Sequence, residues 1–215
     1  MSARTLLIAG ATGLIGSTAL RMALGEPRFG RVIVVGRRST GLQHPKLNEW
    51  LASDLLQALR PEPVDAVLCC LGTTIRKEGG DKQRFIHVDK DLVLGLGIWA
   101  EQQGVPTFAV ISAIGADVDS RIFYNRVKGE MEQGLKALAL PVLHIFQPSI
   151  LLGPRTEFRL GERMGIIAMR LATPLLPARM RPMRHDVLAS ALLNAVFTSE
   201  GGTHTYREIH RLAGQ

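Results

Sequence analysis

A short apolar run followed at once by three spaced glycines constrains this chain more than any other feature. Residues 5–9 read TLLIA, and Gly10, Gly13 and Gly16 follow in the string GATGLIG. An apolar run without polar alternation suits a parallel strand covered on both faces. Residues 14–24 then carry a helical pattern. Between strand and helix the backbone must turn tightly. Glycines allow that turn and a close approach to a pyrophosphate, and the last one lets helix pack against strand. The backbone N–H groups from Thr12 through Gly13 and Leu14 to Ile15 are then expected to face phosphate, aided by the positive end of the helix dipole. An ordinary glycine-rich turn is the competing reading. The position directly behind a buried strand favours nucleotide binding.

The alternation continues along the chain. Strand-like runs occupy residues 31–36 (RVIVVG), 47–51, 65–71 (DAVLCCL), 107–112 (TFAVIS) and 142–146. Helical stretches occupy 81–103, stopping at Gly104, then 122–140, ending before Pro141, and 187–197. Such alternation predicts an α/β fold, a doubly wound parallel sheet with helices on both faces. Past Pro148 the pattern loosens into Gly, Pro and Arg, and residues 149–215 are expected to form a small C-terminal lobe interleaved with the main body. With 215 residues, the whole chain 1–215 is expected to be one domain.

The second strand ends in Gly36, Arg37 and Arg38. An acidic residue here would bond the ribose of NAD; two guanidiniums instead attract a 2′-phosphate. NADP(H) is therefore expected over NAD(H), against the alternative of two solvated arginines. Asp54, after the third strand, has two readings of equal weight: an acceptor for an adenine amino group, or an N-cap for residues 55–59. Leu71 and Gly72, with Thr73 and Thr74, follow the fourth strand at its carboxyl end, where open α/β sheets bind ligands.

Tyr124 and Lys128 stand four apart, so a helix puts them on one face. A phenol is a poor acid–base group at neutral pH, and a neighbouring ammonium is expected to lower its pKa. Lys128 is also expected to bond cofactor ribose, and Ser112, at the end of the fifth strand, to polarise a substrate carbonyl. The alternative is an exposed helix pair without chemistry.

Other function classes fit less well. The net charge of +7 raises nucleic acid as a partner, and residues 155–184 hold seven Arg against two Glu. One aromatic residue in that segment, Phe158, leaves no stacking platform, so a phosphate-bearing small ligand or an acidic partner is expected instead. No apolar run reaches membrane-spanning length, and glycines break the apolar start, against a membrane span or a secretory signal. Two adjacent cysteines, Cys69 and Cys70, suggest a reduced compartment and a cytoplasmic protein. Six histidines show no metal-ligand spacing, and no GxSxG string occurs, so neither a metal site nor α/β-hydrolase chemistry is expected.

Together the glycine loop, Ser112, Tyr124 and Lys128 resemble the short-chain dehydrogenase/reductase superfamily. The likeness is stronger to its atypical branch, that of the human Tat-interactive protein. The stretches that carry it are 33–38 (IVVGRR), 69–74 (CCLGTT), 88–91 (VDKD), 112–117 (SAIGAD), Tyr124 with 128–130 (KGE), and 148–152 (PSILL). They span about three quarters of the chain, and residues 161–215 match only loosely. The resemblance implies a Rossmann fold and an NADP(H)-dependent oxidoreductase acting on a small carbonyl or alcohol, with a non-catalytic nucleotide sensor or scaffold as the rival. It implies cofactor contacts at Thr12, Gly13, Leu14, Ile15, Arg37, Arg38, Leu71, Gly72, Tyr124 and Lys128, and at Leu151 and Arg159. Gln147 departs from the pattern, standing before Pro148 where the related protein carries Arg. The transport and transcription partners of the eukaryotic relatives carry over from nothing in this sequence.

Overall fold

The computed structural model describes residues 3–152 and 181–215. Six parallel strands follow the sequence: β1 (Arg4–Ala9), β2 (Phe29–Gly36), β3 (Leu47–Leu51), β4 (Ala66–Cys69), β5 (Thr107–Ile111) and β6 (Val142–Phe146). Two short strands, β7 (Leu151–Leu152) and β8 (Met183–Arg184), pair in parallel outside this sheet. A last strand, β9 (Gly202–His204), joins the main sheet beside β6, giving the order β3-β2-β1-β4-β5-β6-β9. The six leading strands have the order of a dinucleotide-binding sheet, reversing beside β1.

Strand burial explains the apolar runs. Leu6 and Ile8 of β1 face one core, with Val32, Val34, Ala66 and Leu68. Leu7 and Ala9 face the other, with Ile33, Val35, Val67 and Cys69. Period-2 alternation therefore places every second residue under a different helical layer, and all four β1 residues are fully buried. On the first face lie α1 (Leu14–Gly25) and α5 (His185–Ala195), packed against each other. On the second lie α3 (Leu92–Gln102) and α4 (Phe123–Lys136).

The helical stretch expected over 81–103 is three pieces: α2 (Lys82–Ile86), a π-helical turn (His87–Asp91), then α3. Asp81 caps the start by accepting from the N–H groups of Gln83 and Arg84. Gly104 stops α3 at φ +62°, as its position suggests. The π turn places an extra residue in the run, a feature frequent at functional sites.

The C-terminal residues are better integrated than a loose tail. Alongside α5 and β9, helix α6 (Tyr206–Leu212) packs on α5, and Asn194 donates to the Leu212 carbonyl. Strand β9 has three residues and starts on the second glycine of a Gly-Gly pair, too short to leave a hydrophobic pattern. A buried histidine pair seats it: His144 Nδ1 and His204 Nε2 are 2.9 Å apart. The Thr198 hydroxyl donates to the Ala195 carbonyl, so its oxygen accepts from His144 Nε2. His144 Nδ1 is then the acceptor of the His204 proton, and the His144 ring must be neutral.

Candidate functional site

At the carboxyl edge of β1, β2, β3 and β4 lies a cleft of about 320 Å³. Gly10, Ala11 and Thr12 form one wall, Gly36, Arg37 and Arg38 a second, and Ser53, Asp54 and Leu55 a third. Leu71, Val88 and Leu92 give it apolar surface. Residues separated by sixty or more positions thus meet where the strand order reverses.

Backbone requirements explain two of the glycines. Gly10 sits at φ +81°, and a Cβ there would lie 2.5 Å from the Cys70 carbonyl oxygen. A Cβ on Gly16 would overlap the Gly10 carbonyl, so helix α1 approaches the loop only without a side chain. Gly13 is the N-cap of α1 and offers no side-chain acceptor, and the first turn holds no acidic residue. The N–H groups of Leu14 and Ile15 therefore meet the dipole's positive end without a competing anion. Ile15 contributes backbone alone, because its side chain is buried in the core.

Arg37 and Arg38 are exposed at the cleft wall, and neither has an ion-pair or hydrogen-bond partner among the described residues. Asp54 is not the N-cap of a helix over 55–59: the short turn that follows has Leu55 as its N-cap. One carboxylate oxygen accepts from the Leu56 N–H at 3.0 Å, opening a single 3-10 turn (Leu56–Ala58), while the residue also lines the cleft.

Tyr124 and Lys128 lie apart from this cleft's lining, on α4. The Tyr124 ring packs on Phe85, with centroids 5.7 Å apart. Lys128 is not a free cation. Its Nζ is 2.8 Å from Asp89 Oδ1, and both side chains are at most 4% exposed. The other oxygen of Asp89 accepts from the Thr73 N–H at 2.8 Å. This corrects the expected lowering of the phenol pKa. Burial pushes Tyr124 up, the Lys128 charge pulls it down, Asp89 pushes it up again, and the result lies above the usual tyrosine value. Lys128 itself is held in its charged form against burial chiefly by Asp89.

Ser112 requires a second correction. It is buried, and its hydroxyl donates to Glu132. Glu132, also buried on α4, accepts from Gln147 Nε2 at 2.8 and 3.1 Å. With its one proton given to a carboxylate, Ser112 has none left in this arrangement to polarise a carbonyl. Gln147 thus has a role at the position where the sequence departs from the family pattern.

Gly72 follows β4 beside Asp89, which lies 3.5 Å from where its Cβ would be. Leu151 lies in β7, paired with Met183. Arg159, and with it most of the basic segment, lies outside the described residues. Asp89 stands in the VDKD stretch with no role expected of it, although a signal exists: it interrupts the buried stripe of Phe85, Leu92, Val93 and Leu96 on the helical run. A carboxylate on an apolar face demands a partner. Among the described residues no group of three or more His, Cys, Asp or Glu is arranged to hold a metal, and no helix is long and apolar enough to cross a membrane.

No established family profile matches the chain. Individual relatives do. The chain is 36% identical over 168 residues to the protein HTATIP2 of Rattus norvegicus, covering 75% of this chain and 69% of that one. It is 35% identical over 159 residues to the mitochondrial protein FMP52 of Eremothecium gossypii, covering 72% and 70%. To the Saccharomyces cerevisiae FMP52 it is 32% identical over 181 residues, covering 81% and 78%. The names of these fungal relatives overturn the expected cytoplasmic location. Two free cysteines, Cys69 and Cys70, do not single out any compartment. Among solved structures, MoeE5 in complex with UDP-glucose and NAD matches at TM-score 0.67 and 16% identity, covering 98% of this chain and 81% of that one. Bordetella bronchiseptica WbmH in complex with NAD+ matches at 0.66 and 17%, covering 95% and 76%. These distant structures share the Rossmann-type fold. On the closer sequence relatives, this chain belongs to the atypical short-chain dehydrogenase/reductase family, in the branch of HTATIP2 and FMP52.

Proposed function

We propose that this protein binds NADP(H) in the β1–β4 cleft and reduces a small carbonyl substrate. The observation that carries the reading is the pair of unpartnered guanidiniums, Arg37 and Arg38, on the same cleft wall system as Gly10 and Thr12. The glycine-loop N–H groups would hold the pyrophosphate, and the two arginines the 2′-phosphate. Asp54 has a second carboxylate oxygen for an adenine amino group, above Leu71 and Leu92. These residues suit the dinucleotide in charge and backbone clearance. Bound there, NADPH supplies the hydride.

The chain's own work is proton transfer and positioning. Tyr124 keeps its proton at neutral pH and gives it to the carbonyl oxygen. Lys128 orients the phenol's surroundings, and Ser112 with Glu132 and Gln147 ties α4 to the ends of β5 and β6. The test is NADPH oxidation across a panel of aldehydes and ketones. Wild type is expected to turn over at least one, and Tyr124→Phe to lose about a hundredfold or more of that rate with cofactor affinity retained. A full rate in Tyr124→Phe would remove the assignment.

The second reading, a cofactor-dependent sensor or scaffold without turnover, is favoured by a specific observation. Lys128 and Ser112 are both engaged by carboxylates, Asp89 and Glu132. Cofactor binding without oxidation of NADPH across the panel would establish it.

A further inference from the structure

Tyr124, Lys128 and Asp89 form a chain of coupled charges rather than a tyrosine–lysine pair. Tyr124 and Lys128 share one face of α4, and the π turn delivers Asp89 to Lys128 at 2.8 Å. An ammonium alone would stabilise a nearby phenolate. An ammonium with a carboxylate in contact, both excluded from water, is close to neutral as seen from the phenol. Resting on the reading of Tyr124 as the acid, we infer that Asp89 acts as a positioning residue that offsets the charge of Lys128, so that Tyr124 meets a carbonyl substrate as a protonated phenol.

The groups facing Tyr124 support this. From α2 comes the Phe85 ring, without charge. From β4 comes the Cys69 thiol beside Lys128, which burial pushes up to about 11 and so leaves neutral. Lys82 and Arg126 stand over the adjoining Phe123 ring at 5.2 and 5.8 Å, Lys82 exposed and Arg126 donating to the Ser120 carbonyl. Lys90, on the π turn, is taken up by Glu130 at 2.8 Å. Burial and Asp89 together outweigh the charge of Lys128. In the forward step the carbonyl carbon takes a hydride from NADPH, which is oxidised to NADP+. The C=O π pair moves to oxygen, the Tyr124 O–H bond breaks, and its proton joins that oxygen. The phenolate left behind is the stronger base for being uncompensated, so it regains a proton from solvent.

The chain holds two tyrosines, Tyr124 and Tyr206, so tyrosinate absorbance reads Tyr124 alone in a Tyr206→Phe protein. No cofactor or substrate is needed. The expected midpoint lies above that of free tyrosine. Asp89→Asn in the same background, which keeps an acceptor for the Thr73 N–H, should lower it by about one pH unit or more, a tenfold rise in ionisation constant. A midpoint at or below free tyrosine in Tyr206→Phe overturns the inference, with no change at Asp89 required. So does an unmoved midpoint in folded Asp89→Asn. A high midpoint that falls in Asp89→Asn, in a protein that oxidises no NADPH on the carbonyl panel, upholds the charge cancellation and overturns the proposed reaction.

Discussion

The two halves of the sheet's carboxyl edge are built on opposite plans. The β1–β4 cleft presents backbone N–H groups at the start of α1 and two exposed guanidiniums that have no ion-pair or hydrogen-bond partner among the described residues. The Tyr124 half buries its charges and pairs each within the chain: Lys128 with Asp89, and Ser112 with Glu132. The first half is open to a ligand that brings its own negative charge. The second is satisfied before any ligand arrives. Binding groups work by being free, whereas a buried charge must be compensated by the fold itself.

The largest effect expected of a single change falls on the buried half. Asp89→Ala leaves Lys128 charged and unpaired in the interior and orphans the Thr73 N–H. It should cost about 3–5 kcal/mol of unfolding free energy, read by urea denaturation. A loss below about 1 kcal/mol would show that the half is not held by this pair.

Next comes the open half. Charge-assisted bonds contribute about 1.5–3 kcal/mol each, so Arg37→Ala and Arg38→Ala should each weaken NADP+ by tenfold or more. Neither should alter NAD+ binding or stability appreciably, since both side chains are exposed and without partners among the described residues. Equal losses for the two cofactors would assign the arginines to the pyrophosphate instead and blur the contrast.

The smallest effect concerns the histidine pair that seats β9. Burial, with His204 beside it, pushes His144 down from the ordinary 6.5 to about 4, and burial lowers His204 also. The unfolded chain then binds more protons than the native one between these values. Stability is complete above pH 6.5 and declines as pH falls towards 4, by about 1–2 kcal/mol. Glu26, held near 2 by Arg28, has the same sign of linkage but acts mainly below 4.5, so melting between pH 6.5 and 4.5 isolates the histidines. His144→Leu should flatten that slope; an unchanged slope would place the sensitivity elsewhere.

The same contrast sets what the sequence reveals. Six strands of the main sheet, α1 and the cleft residues Gly10, Thr12, Arg37, Arg38, Asp54 and Leu71 are legible because each depends on local pattern: an apolar run, a glycine spacing, a charge at a strand end. Strand β9 escapes because three residues leave no periodicity, and its hold on the sheet is a contact between His144 and His204, sixty positions apart. The Tyr124–Lys128 spacing is legible too, but its electrostatics are not. The sign of the shift depends on Asp89, brought in from another helical run by a π turn that no propensity announces. Ser112 was misjudged for the same reason, since its proton goes to Glu132, twenty residues on.

The most direct test of the account is calorimetric titration of the wild-type protein with NADP+ and with NAD+, with Gly13→Asp as the control. The account predicts that NADP+ binds at least tenfold more tightly than NAD+. It also predicts that a carboxylate at Gly13, at the start of α1, abolishes both in a protein that remains folded. Equal affinity for the two cofactors, or full NADP+ affinity in folded Gly13→Asp, would contradict it.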